Sequence, residues 1–96
     1  MEKLPAVYIL TNKTNGTLYI GVTSDLISRV WQHKQDCVAG FTRRYSIHQL
    51  VYYELYDTME VAIQREKQLK AGSRQKKIDL IERLNPNWLD LYQGLL

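Results

Sequence analysis

The dipeptide Asn15-Gly16 most constrains how this chain can fold, because it stands between two short segments rich in aromatic and β-branched residues. The first segment, residues 6–10, reads Ala-Val-Tyr-Ile-Leu, and the second, residues 18–21, reads Leu-Tyr-Ile-Gly. Asn and Gly both tolerate the positive φ angles of a two-residue type I′ turn. The pattern therefore predicts a β-hairpin with a tight turn.

Such a turn would fix how the two strands pair. It would place Tyr8 opposite Thr23 and Asn12 opposite Tyr19. Because side chains alternate between the two faces of a strand, Tyr8 and Tyr19 would then lie on the same face of the hairpin.

Size and composition are those of one small domain, residues 1–96, with a modest core: 45% of the residues are hydrophobic and 24% are charged. No apolar run approaches the roughly 18 residues of a membrane span, and the N-terminus lacks a signal-peptide pattern. We therefore expect a cytoplasmic protein that does not contact a membrane.

The lone cysteine, Cys37, excludes an internal disulfide and is expected to be buried as part of the core packing. The net charge of +3 is compatible with a polyanionic partner.

A first helix is expected from about Leu26 to Cys37, with Ser24 or Asp25 as its N-cap. Its apolar stripe also carries Arg29 and His33. One interpretation is an arginine whose stem lies along the edge of the core and a neutral, hydrogen-bonded histidine. The other is that the stripe borders a cleft, and the pattern leaves both open.

Residues 38–46 are expected to form a loop in which a basic pair, Arg43 and Arg44, lies between Phe41 and Tyr45. Basic residues interleaved with aromatic ones can bind phosphates and stack on bases. An ordinary solvated loop with two anchored rings gives the same pattern and is the commoner case.

Residues 47–56 predict a third strand, and residues 59–71 predict a second helix. The inward positions of this helix include Ile63 and Leu69, and Glu66 falls at the same spacing. A carboxylate on the inner side of a helix is costly unless it is paired with a cation or binds a metal. Both alternatives remain open for Glu66.

Gly72 and Ser73 are expected to separate this helix from a third one, residues 74–84. Its first turn is basic, with Arg74 and Lys77, although the helix dipole favours acidic residues there. This placement hints at phosphate contact, whereas a solvated run of charge is the commoner explanation. The predicted inward residues are Ile78, Ile81 and Leu84.

Pro86 is expected to end the third helix, and residues 87–92 to form a short helical turn that lays Trp88 and Leu91 on the core, before a loose end. A hairpin, a helix, a third strand and C-terminal helices together predict an α+β fold. Its core would be a small three-stranded antiparallel sheet flanked by helices.

Several of these residues also match, in order, the signatures of one known family. Val7-Tyr8-Ile9 stands in place of a first signature, Gly-Ile-Tyr, with Tyr8 as its key tyrosine, and Tyr19-Ile20-Gly21 matches the second. Arg29 matches a helix arginine, and Glu66 matches a metal-binding glutamate. His33 lies where many small members carry histidine. The chain thus resembles the GIY-YIG nuclease family, specifically its small stand-alone bacterial members, which are related to the N-terminal domain of the excinuclease C subunit.

The resemblance implies hydrolysis of phosphodiester bonds with one divalent metal per site, Mg²⁺ or Mn²⁺. Glu66 would hold the metal, which retains several waters, and Arg29 would bind phosphate oxygens. A tyrosine, either Tyr8 or Tyr19, would take a proton from water, and His33 is a candidate for relaying it.

The resemblance also implies DNA as the partner, with RNA not excluded, and a role in DNA repair. The residues expected to bind nucleic acid are Arg43, Arg44, Lys70, Arg74 and Lys77. So short a chain has no room for a separate recognition module, so we expect low sequence specificity, with targeting by substrate structure or a protein partner. Val22 stands where some members carry lysine. A non-catalytic nucleic-acid-binding module on the same fold is therefore the second hypothesis, and a protein-interaction domain is the third.

Overall fold

The computed structural model describes residues 3–96 and has the predicted α+β architecture. Three antiparallel strands form one sheet in the order β2-β1-β3. The elements are β1 Ala6–Thr11, β2 Leu18–Thr23, α1 Leu26–Lys34, α2 Phe41–Arg44, β3 Gln49–Leu55, α3 Met59–Ala71, α4 Arg74–Leu84 and α5 Tyr92–Leu95. In this part of the chain, no helix has the length and apolar character needed to cross a membrane.

The central strand β1 organises the core, since all of its residues are buried. Its side chains alternate between two hydrophobic clusters, one on each face of the sheet. Tyr8 and Leu10 pack in a cluster with residues of α1 and α5. Val7 and Ile9 pack in a second cluster with residues of α3 and α4.

The hairpin forms, but the predicted two-residue turn is wrong. Tyr8 pairs with Gly21 rather than Thr23, and Leu10 rather than Asn12 pairs with Tyr19. The register differs from the prediction by two residues. Because side chains repeat every two residues along a strand, this shift leaves Tyr8 and Tyr19 on the same face.

A wider loop, residues 12–17, joins the two strands. This loop is held by contacts that the Asn-Gly pair alone does not predict. The backbone N–H of Gly16 donates to the carbonyl of Lys13 at 2.8 Å, and Asn15 takes the positive φ of 55°. Arg74 of α4 donates to the carbonyls of Asn15 and Gly16, at 2.8 and 2.7 Å. The loop is therefore held by a helix far along the chain.

Helix α1 ends three residues earlier than predicted. Asp25 is its N-cap and accepts from the backbone N–H of Ser28 at 3.2 Å. Beyond Lys34, Asp36 takes a φ of 55°, so the chain leaves the helical conformation before Cys37. Cys37 is exposed, and the prediction that it is buried was wrong.

The bounds of α3 and α4 match the prediction, but two apolar residues expected to face the core do not. Ile63 is 37% exposed and Leu84 is 76% exposed. Ala62 and Leu69 supply the buried positions of α3, and Ile81 supplies that of α4. Leu84 is the last residue of its helix.

The C-terminal segment also differs from its prediction. Residues 87–91 are not helical, although Trp88 is buried with a φ of 56°. The end is not loose, because α5 follows and places Tyr92 and Leu95 in the core. The buried Asn85 side chain holds this segment, since it donates to the carbonyl of Val51 at 3.1 Å.

Gly21 allows the Tyr8 ring to cross β2. A Cβ at Gly21 would lie 2.4 Å from the Tyr8 hydroxyl oxygen. We expect Gly21→Ala to lower the free energy of unfolding by about 1–3 kcal/mol in urea denaturation, because the ring must shift. Gly94→Ala is the matched control, since a Cβ there meets no atom within 4 Å. Equal stability of the two variants would contradict this account of Gly21.

A carboxylate with several hydrogen bonds ties β3 to α3. Glu54 accepts from Arg65 Nε at 2.9 Å and from the hydroxyls of Tyr52 and Tyr56. Partial burial alone would raise the pKa of Glu54, but the hydrogen bonds from Arg65, Tyr52 and Tyr56 outweigh it and hold that pKa below its usual value.

This lowered pKa predicts how stability depends on pH. A carboxylate whose pKa is lower in the folded than in the unfolded protein stabilises the fold at neutral pH, and the benefit disappears as the pH falls through the lowered pKa. Glu54→Gln should therefore cost about 1–2 kcal/mol at pH 7 and progressively less in acid. Thermal unfolding of both proteins across a pH series measures this, and a difference that stays constant with pH would reject it.

Candidate active site

Three predicted site residues meet as a cluster of rings on one face of the sheet. Tyr8 comes from β1, Tyr19 from β2 and His33 from α1. The ring centroids of Tyr8 and Tyr19 are 6.3 Å apart, and His33 lies 5.9 and 5.4 Å from them. The register of the hairpin and the packing of α1 against it bring these residues together.

Hydrogen bonds extend this cluster to a residue that the sequence did not single out. The Tyr8 hydroxyl lies 3.1 Å from His33 Nε2, and His33 Nδ1 lies 3.0 Å from Thr42 Oγ1. All three side chains are buried. The only signal for Thr42 in the sequence is its place between Phe41 and Arg43, in the segment predicted as a loop. Its burial depends on α2, which that prediction missed.

His33 is neutral at pH 7. Burial lowers its pKa to about 4, and the charge of Arg29 and the nearby His48 act in the same direction. The interpretation of His33 as a neutral, hydrogen-bonded histidine therefore agrees with the structure. One of its hydrogen-bond partners, Tyr8, belongs to the same ring cluster.

Tyr8 is protonated in the free protein. Burial raises its pKa to about 12, and the nearby Tyr19 adds to the increase. Arg29 opposes the increase through its hydrogen bonding and its charge, whereas Glu66 adds to it. Arg29 of α1, whose Nη1 donates to Gln32 Oε1 at 3.1 Å, and Glu66 of α3 are thus both close enough to shift the pKa of the Tyr8 hydroxyl.

Glu66 of α3 is the candidate metal ligand. Its side chain is 15% exposed, and its carboxylate pairs with Lys70 at 3.3 Å, the alternative that the sequence left open. Between residues 3 and 96, no cluster of three or more His, Cys, Asp or Glu side chains is arranged to hold an ion. A single carboxylate still suits Mg²⁺, which keeps several waters and binds through one or two carboxylates plus substrate phosphates.

A basic groove of about 770 Å³ runs between the hairpin loop and helices α3 and α4, with Tyr19 in its lining. We define the basic groove by Lys13, Lys70, Arg74 and Lys77. Arg74 also donates to the hairpin carbonyls, and Lys77 Nζ donates to the carbonyl at the end of α3 at 2.7 Å. Lys13 is exposed in the hairpin loop and was not among the predicted residues.

Exposed rings continue from Tyr19 in another direction. The Tyr19 and Phe41 rings are stacked at 6.3 Å between centroids, and Phe41 contacts Tyr45 at 4.9 Å. Phe41 and Tyr45 are 46% and 44% exposed, so they are not anchored in the core. We call these three rings the aromatic shelf. Arg43 and Arg44 are exposed beside it, and the Arg44 guanidinium lies 5.6 Å from the Tyr45 ring.

Known proteins are similar to this chain in sequence and in fold. Residues 4–79 match the family model described as the GIY-YIG catalytic domain. A UPF0213 protein of Staphylococcus saprophyticus is 40% identical over 75 residues, which is 78% of this chain and 90% of that protein. A UPF0213 protein of Staphylococcus aureus is 40% identical over 77 residues, which is 79% of this chain and 92% of that one.

A solved structure extends the comparison to three dimensions. The solution NMR structure of a UPF0213 protein from Bacillus halodurans is 32% identical and has a TM-score of 0.50. The match covers 81% of this chain and 82% of that one. The resemblance and the fold class predicted from the sequence are thereby confirmed. The chain belongs to the GIY-YIG family of nucleases and resembles its small stand-alone UPF0213 members.

Proposed function

We propose that this protein is an endonuclease, a single GIY-YIG domain that hydrolyses phosphodiester bonds in DNA with a divalent metal and low intrinsic sequence specificity. The observation that carries the proposal is the ring cluster of Tyr8, Tyr19 and His33, with Arg29 and Glu66 close enough to shift the pKa of Tyr8. A role in cytoplasmic DNA repair, with substrate structure or a protein partner supplying the targeting, fits such an activity.

Arg29 and Glu66 would both help to neutralise the negative charge of the phosphate, in different ways. Arg29 presents several N–H donors to the phosphate oxygens, a geometry in which guanidinium groups excel. Glu66 would hold one Mg²⁺ or Mn²⁺ ion, which would supply Lewis-acid stabilisation of the charge on the phosphate. Lys70, which pairs with Glu66, is 54% exposed and can turn toward the substrate instead.

Tyr8 is the better candidate for the general base, because its hydroxyl contacts His33 Nε2. As the water oxygen bonds to phosphorus, its proton passes to the Tyr8 oxygen, and the Tyr8 proton passes to His33 Nε2. The bond from phosphorus to the leaving oxygen breaks, and that oxygen takes a proton from solvent. The Tyr19 hydroxyl has no hydrogen bond of this kind to a side chain within residues 3–96, and it would orient the water or the phosphate.

The low pKa of His33 is compatible with this relay once substrate is bound. After burial, the second largest cause of the low pKa is the charge of Arg29. A phosphate bound to Arg29 neutralises that charge, so the pKa of His33 rises toward the range in which an imidazole accepts protons effectively.

The basic groove and the aromatic shelf meet at Tyr19, which belongs to both. A nucleic-acid strand crossing the tyrosines would place phosphates along the groove and bases on the shelf. Exposed rings stack only on bases that are not already stacked within a duplex. The site therefore favours DNA with unpaired segments, such as branched DNA, over intact duplex, and RNA with unpaired bases suits the same surface.

A non-catalytic nucleic-acid-binding module is the second candidate function. The observation that favours it is the ion pair between Lys70 and Glu66, which occupies the carboxylate needed for metal. Val22, directly after the second signature, is consistent with it. Such a module would bind nucleic acid in a salt-dependent way without metal-dependent cleavage.

Removal of the proposed metal ligand tests the first candidate against the second. We expect the wild type to cleave plasmid or branched DNA with Mg²⁺ or Mn²⁺ and to stop in EDTA. Glu66→Gln should cut slower by about 100-fold or more, because the charge on the phosphate loses its main stabilisation.

Glu60→Gln is the matched control, since it removes the same charge from an exposed position of α3. RNA of matched structure, assayed in parallel, distinguishes the two nucleic acids. Cleavage that persists in Glu66→Gln or in EDTA would reject the proposal that Glu66 holds a metal needed for cleavage. Tight binding by a wild type that cuts no substrate establishes the second candidate.

The aromatic shelf predicts a change in affinity. Phe41→Ala and Tyr45→Ala should each weaken binding to branched or single-stranded DNA by about 1–3 kcal/mol, with a smaller effect on duplex, because each ring stacks on an unpaired base. Fluorescence anisotropy at one fixed salt concentration measures this. Trp31→Ala is the control, because Trp31 is a half-exposed ring that lines a different groove. An equal loss of affinity in that variant would reject the role of the aromatic shelf in stacking bases.

A further inference from the structure

We propose that Thr42 is a positioning residue that fixes the tautomer of His33. In this arrangement Nδ1 carries the single ring proton and donates it to Thr42 Oγ1, and Nε2 is left to accept a hydrogen bond from Tyr8. The consequence for catalysis rests on the proposed nuclease function, whereas the tautomer itself does not depend on it.

Thr42 is the residue of α2 whose side chain is placed to bind His33. It is the buried residue of the four-residue helix α2, at 3% exposure, whereas Phe41 and Arg43 on either side are exposed. The carbonyl of Thr42 accepts from the backbone N–H of Ile47 at 2.9 Å. This bond holds the residue with its side chain toward α1, where Oγ1 lies 3.0 Å from His33 Nδ1.

A neutral imidazole has one N–H, so the position of that proton is a choice between two tautomers. Each ring nitrogen of His33 has a hydroxyl partner, Tyr8 on one side and Thr42 on the other. A hydroxyl can donate or accept, so these two distances alone allow both tautomers.

The acidity of the two hydroxyls decides between the two tautomers. The phenol of Tyr8 is far more acidic than the aliphatic hydroxyl of Thr42, so it is the stronger hydrogen-bond donor and the weaker acceptor. The Tyr8 hydroxyl therefore donates to His33 Nε2, at 3.1 Å. Nε2 then lacks a proton, which places the ring proton on Nδ1, where Thr42 Oγ1 accepts it at 3.0 Å.

Loss of the Thr42 hydroxyl would leave a buried Nδ1–H without its acceptor, which is costly. The ring would then lower its free energy by moving the proton to Nε2 or by tilting away from Tyr8. Either response removes the acceptor for the Tyr8 proton while leaving Arg29 and Glu66 in place. Thr42 would thus affect the proton transfer and not the binding of the phosphate.

NMR of the histidine ring nitrogens in ¹⁵N-labelled protein tests the tautomer directly. The two histidines are assigned with His48→Gln, since His48 is a partly exposed residue paired with Asp36. We expect the Nδ1–H form of His33 in the wild type and in Thr42→Ser, and a shift toward the Nε2–H form in Thr42→Val, which has the same shape without the hydroxyl. A wild-type proton on Nε2 overturns the proposal, and so does a Thr42→Val spectrum like that of the wild type.

Steady-state cleavage of branched DNA tests the consequence. We expect Thr42→Val to lower kcat by about 10–100-fold with KM nearly unchanged, and Thr42→Ser to restore most of it, as is typical when a supporting hydrogen bond is lost. An unchanged kcat in Thr42→Val overturns the positioning role. If Thr42→Val fails to fold, the wild-type and Thr42→Ser spectra still decide the tautomer. A wild type with the Nδ1–H form but no cleavage would contradict the proposed function alone.

Discussion

The close passage of the Tyr8 ring over Gly21 is the constraint on which the site depends. The two residues face each other across β1 and β2, and any side chain at Gly21 would occupy the space of the Tyr8 hydroxyl. Only with this passage open does the hydroxyl reach His33 on α1. The tyrosine of the first family signature and the glycine of the second are therefore two halves of one contact. Although they are far apart in the sequence, the two residues meet one packing requirement, that the Tyr8 ring has room beside residue 21.

How well the site could be predicted depended on how local its determinants are. The shared face of Tyr8 and Tyr19 was predicted correctly from a wrong register, because an error of two residues preserves the face. Glu66 and His33 followed from helical spacing, which is a local property. Thr42 could not be predicted, because its burial depends on how a single turn of helix packs against α1. The loop geometry was missed because Arg74, far along the chain, stabilises it.

The basic residues of α4 combine a structural role with a place in the lining of the basic groove. Arg74 and Lys77 both donate to backbone carbonyls, so part of their hydrogen-bonding capacity is used within the fold. Both still line the basic groove, and an arginine has further N–H donors to offer. Their unfavourable position at the start of a helix is thus offset by bonds to other carbonyls. Helix-dipole arguments alone would have misjudged these two residues.

The loop of residues 12–17 joins the paired strands without setting their register, since the pairing of Tyr8 with Gly21 is fixed by the packing of the strands themselves. The same loop forms one wall of the basic groove. Its length and composition can therefore diverge between relatives, or be redesigned, while the tyrosines stay in place. The fold thereby separates the part that carries the proposed chemistry from a loop that can vary with substrate preference.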